Sequence, residues 1–215
     1  MYCLLLLLTI LTGDPPPGTI QIGELYVDKE EITNNGWLEF LFYMKQDIDS
    51  VQYQQYLPHP DNTWYNKWQA HEMPIVLITY EQAIAFCQWR SEVVSKSSNR
   101  KVNYRLPTPE EWQEVARYTL ENYGQHVKRQ LKKTYKFIQK YPDSYNVMKT
   151  FSRSYMPTQM FDNVSEMTSE PGLAMGANNF YLLNLESNLN SSFSYERPNS
   201  YIGFRCVAEY EEEAP

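Results

Sequence analysis

The strongest local constraint on how this chain folds is a helix start near its centre, within Arg105-Leu106-Pro107-Thr108-Pro109-Glu110-Glu111-Trp112. Thr108 is a favourable N-cap, Pro109 has the backbone angle of a first helical residue, and Glu111 can reach back to the cap. The pattern therefore predicts a helix that begins at Pro109. The apolar residues that follow at helical spacing, and that we expect to face a core, are Trp112, Val115 and Ala116.

Two further segments carry a helix start. Thr33 or Asn34 can cap a helix whose apolar residues recur at helical spacing, and Thr79 with Gln82 forms a capping box that opens another helix ending near Ser95. The apolar face of the first is Trp37, Phe40, Leu41 and Met44, and that of the second is Ala83, Phe86, Cys87 and Trp89. These faces are predicted to be core.

A basic run at residues 127–140 is also predicted to be helical, because its apolar residues fall at helical spacing. The basic residues are Lys128, Arg129, Lys132, Lys133, Lys136 and Lys140. A solvated basic face is the favoured interpretation, and a phosphate or lipid patch is the alternative. The whole chain carries a net charge of −7, which argues against nucleic acid as a partner, since phosphate binding depends mainly on Lys and Arg.

The remaining segments favour short strands and ordered loops. Residues 20–27 alternate loosely and predict an early strand, and Pro74 to Ile78 predicts a second one. Residues 50–73 show no hydrophobic periodicity and are predicted to form a long ordered loop. The chain beyond Tyr141 is predicted to form turns and short extended segments. We therefore predict a single α+β domain with few short strands, two to four helices and long ordered loops. Its expected single buried cluster comprises Trp37, Phe40, Leu41, Phe86, Leu106, Trp112, Val115 and Phe204.

The N-terminus predicts an exported protein. Residues 1–13 contain an apolar run too short to span a bilayer and typical of a signal segment. Residues 14–18 predict a Pro-rich tether, residues 19–210 the folded domain, and residues 211–215 an acidic tail. The expected location is the periplasm, outer membrane or surface of a bacterial cell, with membrane contact only through the N-terminal signal or anchor.

Four blocks of the sequence, taken in order, resemble the formylglycine-generating-enzyme (sulfatase-modifying factor) family. They are YVDKEEITN at residues 26–34, PIVLITYEQAIAFC at 74–87, RLPTPEEW at 105–112 and GFRC at 203–206. The resemblance covers nearly all of the predicted domain. It implies an irregular α+β fold related to the C-type lectin fold.

The resemblance also implies a disulfide bond. In the family, the cysteine of the AFC helix pairs with the cysteine of the terminal GFRC block, here Cys87 and Cys206. Cys3 lies in the predicted signal segment, so these two thiols remain in an exported chain. A bridge closing so long a loop would stabilise the fold by on the order of 4 kcal/mol, and a pair of buried free thiols is the alternative.

This chain lacks the residues that carry out the chemistry of the family. The family oxidises a cysteine of sulfatases to formylglycine with two thiols that bind copper(I), which lie between a Gly-Gly block and the terminal GFR block. The corresponding interval, Gly176 to Tyr201, contains neither cysteine nor histidine, so no copper is expected. The histidines His59, His71 and His126 are widely spaced and match no ligand pattern. We therefore predict a non-catalytic protein.

One metal site of the family has a counterpart here. Asp162-Asn163-Val164-Ser165-Glu166 resembles the calcium loop of the family. Side-chain oxygens of Asp162, Asn163 and Glu166, with the carbonyl oxygen of Val164, suit a hard cation. Calcium is therefore a candidate cofactor. The alternative is that Glu166 caps a helix or forms a salt bridge within the fold.

The leading functional hypothesis is a non-catalytic binding or structural protein of the cell envelope, associated with gliding motility or secretion, whose partner is a protein or a glycan. A ligand-display protein diversified in residues 178–201 is the alternative, and an active sulfatase-modifying oxidase is a further one. The candidate binding residues are Asn178, Asn179, Tyr181, Asn188, Tyr195 and Arg197. An ordinary Asn- and Ser-rich surface loop is the simpler interpretation of that segment.

Overall fold

The computed structural model describes residues 14–98, 100–140, 153, 155–179 and 190–211. Its helices are α1 (Asn34–Asp47), α2 (Ser50–Gln54), α3 (Tyr80–Ser97) and α4 (Pro109–Lys140), with a 3-10 turn at Trp68–Ala70. Thr33 caps α1, the Thr79–Gln82 capping box opens α3, and Thr108 and Glu111 exchange hydrogen bonds at the start of α4. All three helix starts read from the sequence are confirmed.

Four short strands form the first sheet, in the order β1-β2-β8-β3 with every neighbour antiparallel. They are β1 (Thr19–Ile22), β2 (Leu25–Asp28), β3 (Val102–Arg105) and β8 (Val207–Tyr210). The strand predicted over residues 20–27 is thus a hairpin, because Gly23 turns the chain at φ +61°. β8 lies between β2 and β3, so the end of the domain closes the sheet.

The second sheet has the order β6-β5-β4-β7 and pairs β4 with β7 in parallel. Its strands are β4 (Ser165–Met167), β5 (Leu173–Met175), β6 (Ser192–Ser194) and β7 (Ile202–Gly203). Ser165 lies opposite Ile202, and Glu166 lies opposite Gly203. The segment that joins β7 to β8 therefore connects the two sheets.

The core is divided between the two faces of the first sheet. Successive side chains of a strand point to opposite faces, so Tyr26 and Ala208 join a first core while Val27 and Val207 join a second one. The helices α1 and α3 cover the first core, and α4 covers the second. All eight residues predicted to form one cluster are buried, but Trp112 and Val115 lie in the second core and the other six in the first.

Two local predictions are wrong. Residues 74–78 form no strand, because Leu77 has a left-handed backbone at φ +59° and only Pro74 makes an isolated bridge, to Thr33. The predicted loop 50–73 contains α2, which Asp49 caps through its carboxylate, as well as the 3-10 turn. The fold class is confirmed: the described residues form an α+β domain with short strands and four α-helices.

The long helix α4 includes the basic run, as predicted, and kinks at Tyr123. Val127 and Thr134 face inwards, whereas Tyr135 is 55% exposed. No helix in the described ranges is long and apolar enough to cross a membrane. Residues 1–13 and 212–215 lie outside those ranges, so the signal segment and the limits of the domain stay predictions.

Candidate functional site

A buried ion pair joins β4 to the segment between β7 and β8. The Arg205 guanidinium donates to Glu166 in a bidentate arrangement, Nη2 to Oε1 at 2.6 Å and Nε to Oε2 at 2.7 Å. Both side chains are 1% exposed. Arg205 also donates to the carbonyl oxygens of Asp28 and Thr158, so its charge is surrounded by acceptors. Such a pair orients the two segments that it joins.

Trp112 completes the surroundings of Glu166. Its indole Nε1 donates to Glu166 Oε2 at 2.7 Å, so that oxygen accepts from both Arg205 and the first turn of α4. The packing behind the ring is tight: a Cβ added at Gly176, whose φ is +85°, would lie 2.7 Å from an atom of Trp112. Glycine is therefore required there for both the backbone angle and the space.

A second buried carboxylate, Glu31, faces the same segment, and among the described residues no cationic side chain is in direct hydrogen-bond contact with it. It accepts from Asn163 Nδ2 at 2.6 Å and from the Val164 backbone N–H at 3.3 Å. Burial, followed by the nearby Glu166 carboxylate, raises the pKa of Glu31 well above its ordinary value. Asn163 adopts φ +74°, a left-handed conformation that asparagine tolerates better than most residues.

The third buried carboxylate, Asp162, is held by the distal half of α4. Thr134 donates its hydroxyl to Asp162 Oδ2, and Gln130 Nε2 donates to Oδ1 at 2.9 Å. Burial raises the pKa of Asp162 to about 6, against the lowering effect of these two donors. The loop 162–166 is therefore tied to α4, to the turn before α1 and to the segment before β8.

These contacts bear on the calcium prediction. Both carboxylate oxygens of Glu166 already accept charged or indole N–H donors, and both oxygens of Asp162 accept from α4. In this arrangement a calcium ion would compete with those donors for the carboxylate oxygens. The salt bridge within the fold, which the sequence left as the alternative for Glu166, is what the structure contains. Calcium binding stays a prediction.

The two cysteines meet in the first core. Their sulfur atoms lie 3.4 Å apart as free thiols, and both residues are buried. Burial, reinforced by Cys87, raises the pKa of the Cys206 thiol well above its ordinary value. The Cys206 backbone N–H donates to Asp28 Oδ2, and that carboxylate also pairs with Arg90. The structure therefore brings the predicted partners together, and the bond between them stays a prediction.

The candidate binding residues do not form one described surface. Asn178 is buried and donates to the Ser165 hydroxyl, and Asn179 Oδ1 accepts from the Asn163 backbone N–H. Tyr195 is half-buried against the first core, and Arg197 is exposed. Tyr181 and Asn188 lie outside the described residues.

The histidines are dispersed as well. His59 is in the loop after α2, the carbonyl oxygen of His71 accepts from Asn35 N–H near the start of α1, and His126 packs near Tyr155. In the part of the chain that the structure describes, no three His, Cys, Asp or Glu side chains cluster as a metal site.

Sequence reasoning missed the partners of the loop. Glu31, Arg205 and Asp28 are charged residues that the fold buries almost completely. A signal was present, because Asp28 and Glu31 belong to the first block of the family resemblance and Arg205 to the last. Their pairing across the length of the chain could not be read from either block alone.

Comparison with known proteins agrees with this architecture. A family model, FGE-sulfatase, described as the sulfatase-modifying factor enzyme 1-like domain, matches residues 8–210. The crystal structure of CarF superposes with a TM-score of 0.51 at 14% identity and covers 87% of each chain. The structure of PvdO from Pseudomonas aeruginosa has a TM-score of 0.48 at 14% identity and covers 86% of this chain and 80% of its own. No curated protein matches the sequence.

Proposed function

Since the chain belongs to the family of sulfatase-modifying factor enzyme 1-like domains, we propose that it is a non-catalytic member that acts as a binding or structural protein of the cell envelope. Its partner would be a protein or a glycan. The predicted signal segment supports export, and the long loops on a tightly connected scaffold support a binding role.

The observation that carries the proposal is the composition of the interval in which the family holds its copper. Residues 176–201 offer amides, hydroxyls and aromatic rings, with no cysteine and no histidine. Copper(I) is a soft ion that prefers thiolate ligands, and amide or hydroxyl oxygens do not replace them. The oxidation of a substrate cysteine therefore has no ligand set in that interval.

The two thiols of the folded domain are poor substitutes. Cys87 and Cys206 are 2% and 0% exposed, so neither can approach a substrate peptide without local unfolding. A thiol reacts as its thiolate, and the raised pKa of Cys206 disfavours that form. Their position in the first core supports a structural role.

The contacts of Asn178 and Asn179 bear on the display alternative. Both side chains contact the segment 162–166, and random replacement there would remove the hydrogen bonds to the Ser165 hydroxyl and from the Asn163 N–H. If residues 178–201 are diversified, we expect the variation to spare these two positions. The non-catalytic binding protein therefore remains the better supported proposal.

The direct test is incubation of the full-length protein with a sulfatase-type cysteine peptide, copper and oxygen. We expect the mass of the peptide to remain unchanged, since the residues that would bind copper are absent. A family member that retains the thiol pair serves as the positive control. Circular dichroism should first show that the protein is folded, so that inactivity reflects missing chemistry.

Conversion of the peptide thiol to an aldehyde, detected by mass spectrometry, would overturn the non-catalytic assignment. A second measurement is titration of the native protein with a thiol reagent. We expect the reduced protein to be labelled slowly in buffer and rapidly only after denaturation, because both domain thiols are buried.

A further inference from the structure

The second half of α4, residues 124–140, carries its positive charges on one side. It contains six of the 19 Lys and Arg residues of the chain and none of the 26 Asp and Glu residues. A helix turns by about 100° per residue, so the six side chains fall within an arc of about 140° and extend over about 18 Å of the helix. All six are exposed, and we call them the basic face: Lys128, Arg129, Lys132, Lys133, Lys136 and Lys140.

Buried contacts on the opposite side of the helix fix the orientation of the basic face. Val127 lies in the second core, and Gln130 and Thr134 donate to the buried Asp162 carboxylate. The helix cannot rotate about its axis without breaking these contacts. The basic face is therefore held towards solvent before any partner binds.

The charges of the basic face are not balanced within the helix. Successive turns place like charges four residues apart, where they repel each other. In the described part of the chain, no salt bridge joins a carboxylate to the first five of these side chains, from Lys128 to Lys136. The helix α3 differs, since Lys96 lies 3.8 Å from Glu92, four residues before it. A negatively charged partner would relieve the repulsion on α4.

The composition and shape of the basic face favour a broad negative surface over a single bound anion. Five of its six residues are lysines, whose ammonium groups are flexible point charges. Recognition of one phosphate or carboxylate by paired hydrogen bonds is instead typical of arginine. The side chains also point outwards from a convex helix along its length, so they do not converge on one point as those of an anion pocket do.

An anionic lipid bilayer fits this face better than an acidic protein does. Lipid headgroups move laterally and can gather opposite every charge, whereas the carboxylates of a protein are fixed and would have to match the spacing. Tyr135 is 55% exposed and lies one turn after Lys132, at the edge of the basic face. Tyrosine is enriched at membrane–water interfaces because its ring is apolar and its hydroxyl is polar.

We propose that the basic face of α4 docks the domain on an anionic lipid bilayer, with the helix axis parallel to the membrane plane. The proposal rests on the envelope role proposed above and adds a second membrane contact to the predicted N-terminal segment. Outside residues 124–140, acidic residues outnumber basic ones. A negative membrane therefore attracts this side of the domain and repels the rest, which sets the orientation of docking.

The test is co-sedimentation of the full-length protein with two kinds of vesicle. One contains phosphatidylcholine alone, and the other contains equal parts of phosphatidylcholine and phosphatidylglycerol. The predicted N-terminal segment would bind both kinds, so the measured quantity is the ratio of the anionic to the neutral partition coefficient. We expect a ratio well above one that falls towards one in about 0.5 M NaCl, because salt screens the attraction.

The variant Lys128→Gln/Lys132→Gln/Lys136→Gln removes three charges from the basic face. Each Lys or Arg near an anionic membrane strengthens binding roughly fivefold, so the ratio should fall by on the order of a hundredfold. The melting temperature should not fall, since the three side chains are exposed and the substitution removes repulsion between them.

The matched control is Lys45→Gln/Lys96→Gln/Lys101→Gln. It changes the net charge by the same amount at exposed lysines of α1, of α3 and of the segment before β3. We expect it to keep the ratio of the parent protein. An equal fall in both triple variants would show that net charge decides binding, and it would overturn the proposal.

A parent ratio near one would overturn the proposal as well. Two competitors test the other anionic partners. Release from the vesicles by inorganic phosphate at matched ionic strength would indicate a site for a single anion, and tighter binding of polyglutamate than of the vesicles would indicate an acidic protein. Either result would contradict docking on a bilayer. The peptide oxidation assay tests the non-catalytic assignment separately, since it involves no lipid.

Discussion

Asp162 lies just before β4 and Glu166 lies within it, four residues further along the chain. Both are at most 2% exposed, yet their surroundings differ. Glu166 faces the Arg205 guanidinium and the Trp112 N–H, so its negative charge is balanced. Within the part of the chain that the structure describes, the side-chain donors to Asp162 are the neutral Thr134 and Gln130. Equal burial therefore gives one carboxylate that holds the fold together as an ion and another that burial pushes towards its protonated form.

Glu31 extends the comparison. It is fully buried and has the same kind of neutral donors as Asp162, while Arg205 is shared with Glu166 and acts on Glu31 only at a distance. Glu166 and Glu31 share the influence of one guanidinium, which leaves an excess of potential negative charge. The fold should therefore respond to pH at Asp162 and Glu31, and to mutation most strongly at Arg205.

The largest effect is expected from Arg205→Met. Removing the guanidinium leaves Glu166 as a buried charge without its partner, which should lower the free energy of unfolding by about 3–5 kcal/mol. Urea unfolding measures the change. Arg105→Met is the matched control: Arg105 pairs with Glu111 and Glu209 but is 30% exposed, so its loss should cost no more than about 1 kcal/mol.

The double variant Arg205→Met/Glu166→Met sharpens this test. Replacing both ions removes the unpaired charge, so we expect it to be more stable than Arg205→Met alone. If Arg205→Met costs no more than Arg105→Met, the ion pair does not hold the two segments together.

A disulfide between Cys87 and Cys206 would fix the segment that carries Arg205 without touching Asp162. We expect the oxidised protein to resist urea more than the reduced one, by on the order of 4 kcal/mol for a loop this long. Mass spectrometry after alkylation should find no free thiol in the folded domain when it is purified without reductant. The Cys87→Ser variant should lose the difference between oxidising and reducing conditions. Free alkylated thiols in the oxidised sample would refute the bond.

The comparison predicts a specific pH dependence. Asp162 has a pKa of about 6 in the folded protein against an ordinary 3.8, so the folded state holds its proton more tightly than the unfolded state. This contribution is fully present below pH 3.8 and is lost as the pH rises through about 6. The effect of Glu31 has the same sign, because its pKa is also raised.

Asp162→Asn should remove the Asp162 contribution and stabilise the protein above pH 7 by up to about 3 kcal/mol. The asparagine can still accept from Thr134, and Gln130 can rotate its amide to pair with it. Unfolding by urea at several pH values between 4 and 8 measures the change. Asp61→Asn, at an exposed carboxylate, is the control. An unchanged pH profile in Asp162→Asn would show that Asp162 is not the titrating group.

The smallest effect is expected from calcium. An ion bound only by the folded state raises the melting temperature by mass action, but the Glu166 oxygens are already taken by Arg205 and Trp112. We therefore expect millimolar calcium to leave the melting temperature unchanged. A rise that Glu166→Gln abolishes would instead establish the calcium site predicted from the sequence.

The helix starts could be predicted because their signals are local. Each capping hydrogen bond joins residues only three positions apart, so a short window of sequence contains the whole interaction. The residues concerned are Thr33, the Thr79–Gln82 box and the Thr108–Glu111 pair. Asp49 carried the same kind of signal for α2 and was overlooked. The conformation of segment 74–78 could not be predicted from its own residues. The left-handed Leu77 is hydrogen-bonded to His59 and Asn199, which are both distant in the sequence.

The candidate site was predicted in part for the same reason. The loop 162–166 was located by its resemblance to a family motif, but its partners Glu31, Gln130 and Arg205 lie between 32 and 133 residues away along the chain. The division of the core into two also depends on strand pairing. Because β2 and β8 are neighbours in one sheet, their alternate side chains point to opposite faces and so into different cores.

The position of the last strands has a consequence for how the protein is made. Residues 202–210 supply β7, the Arg205 guanidinium and β8, which fits between β2 and β3. A ribosome completes every other described element before these residues exist, so β2 and β3 lack the strand that joins them while the chain is being synthesised. We expect the nascent chain to stay open until synthesis passes Tyr210, because the non-local pairing that closes it must wait for these residues.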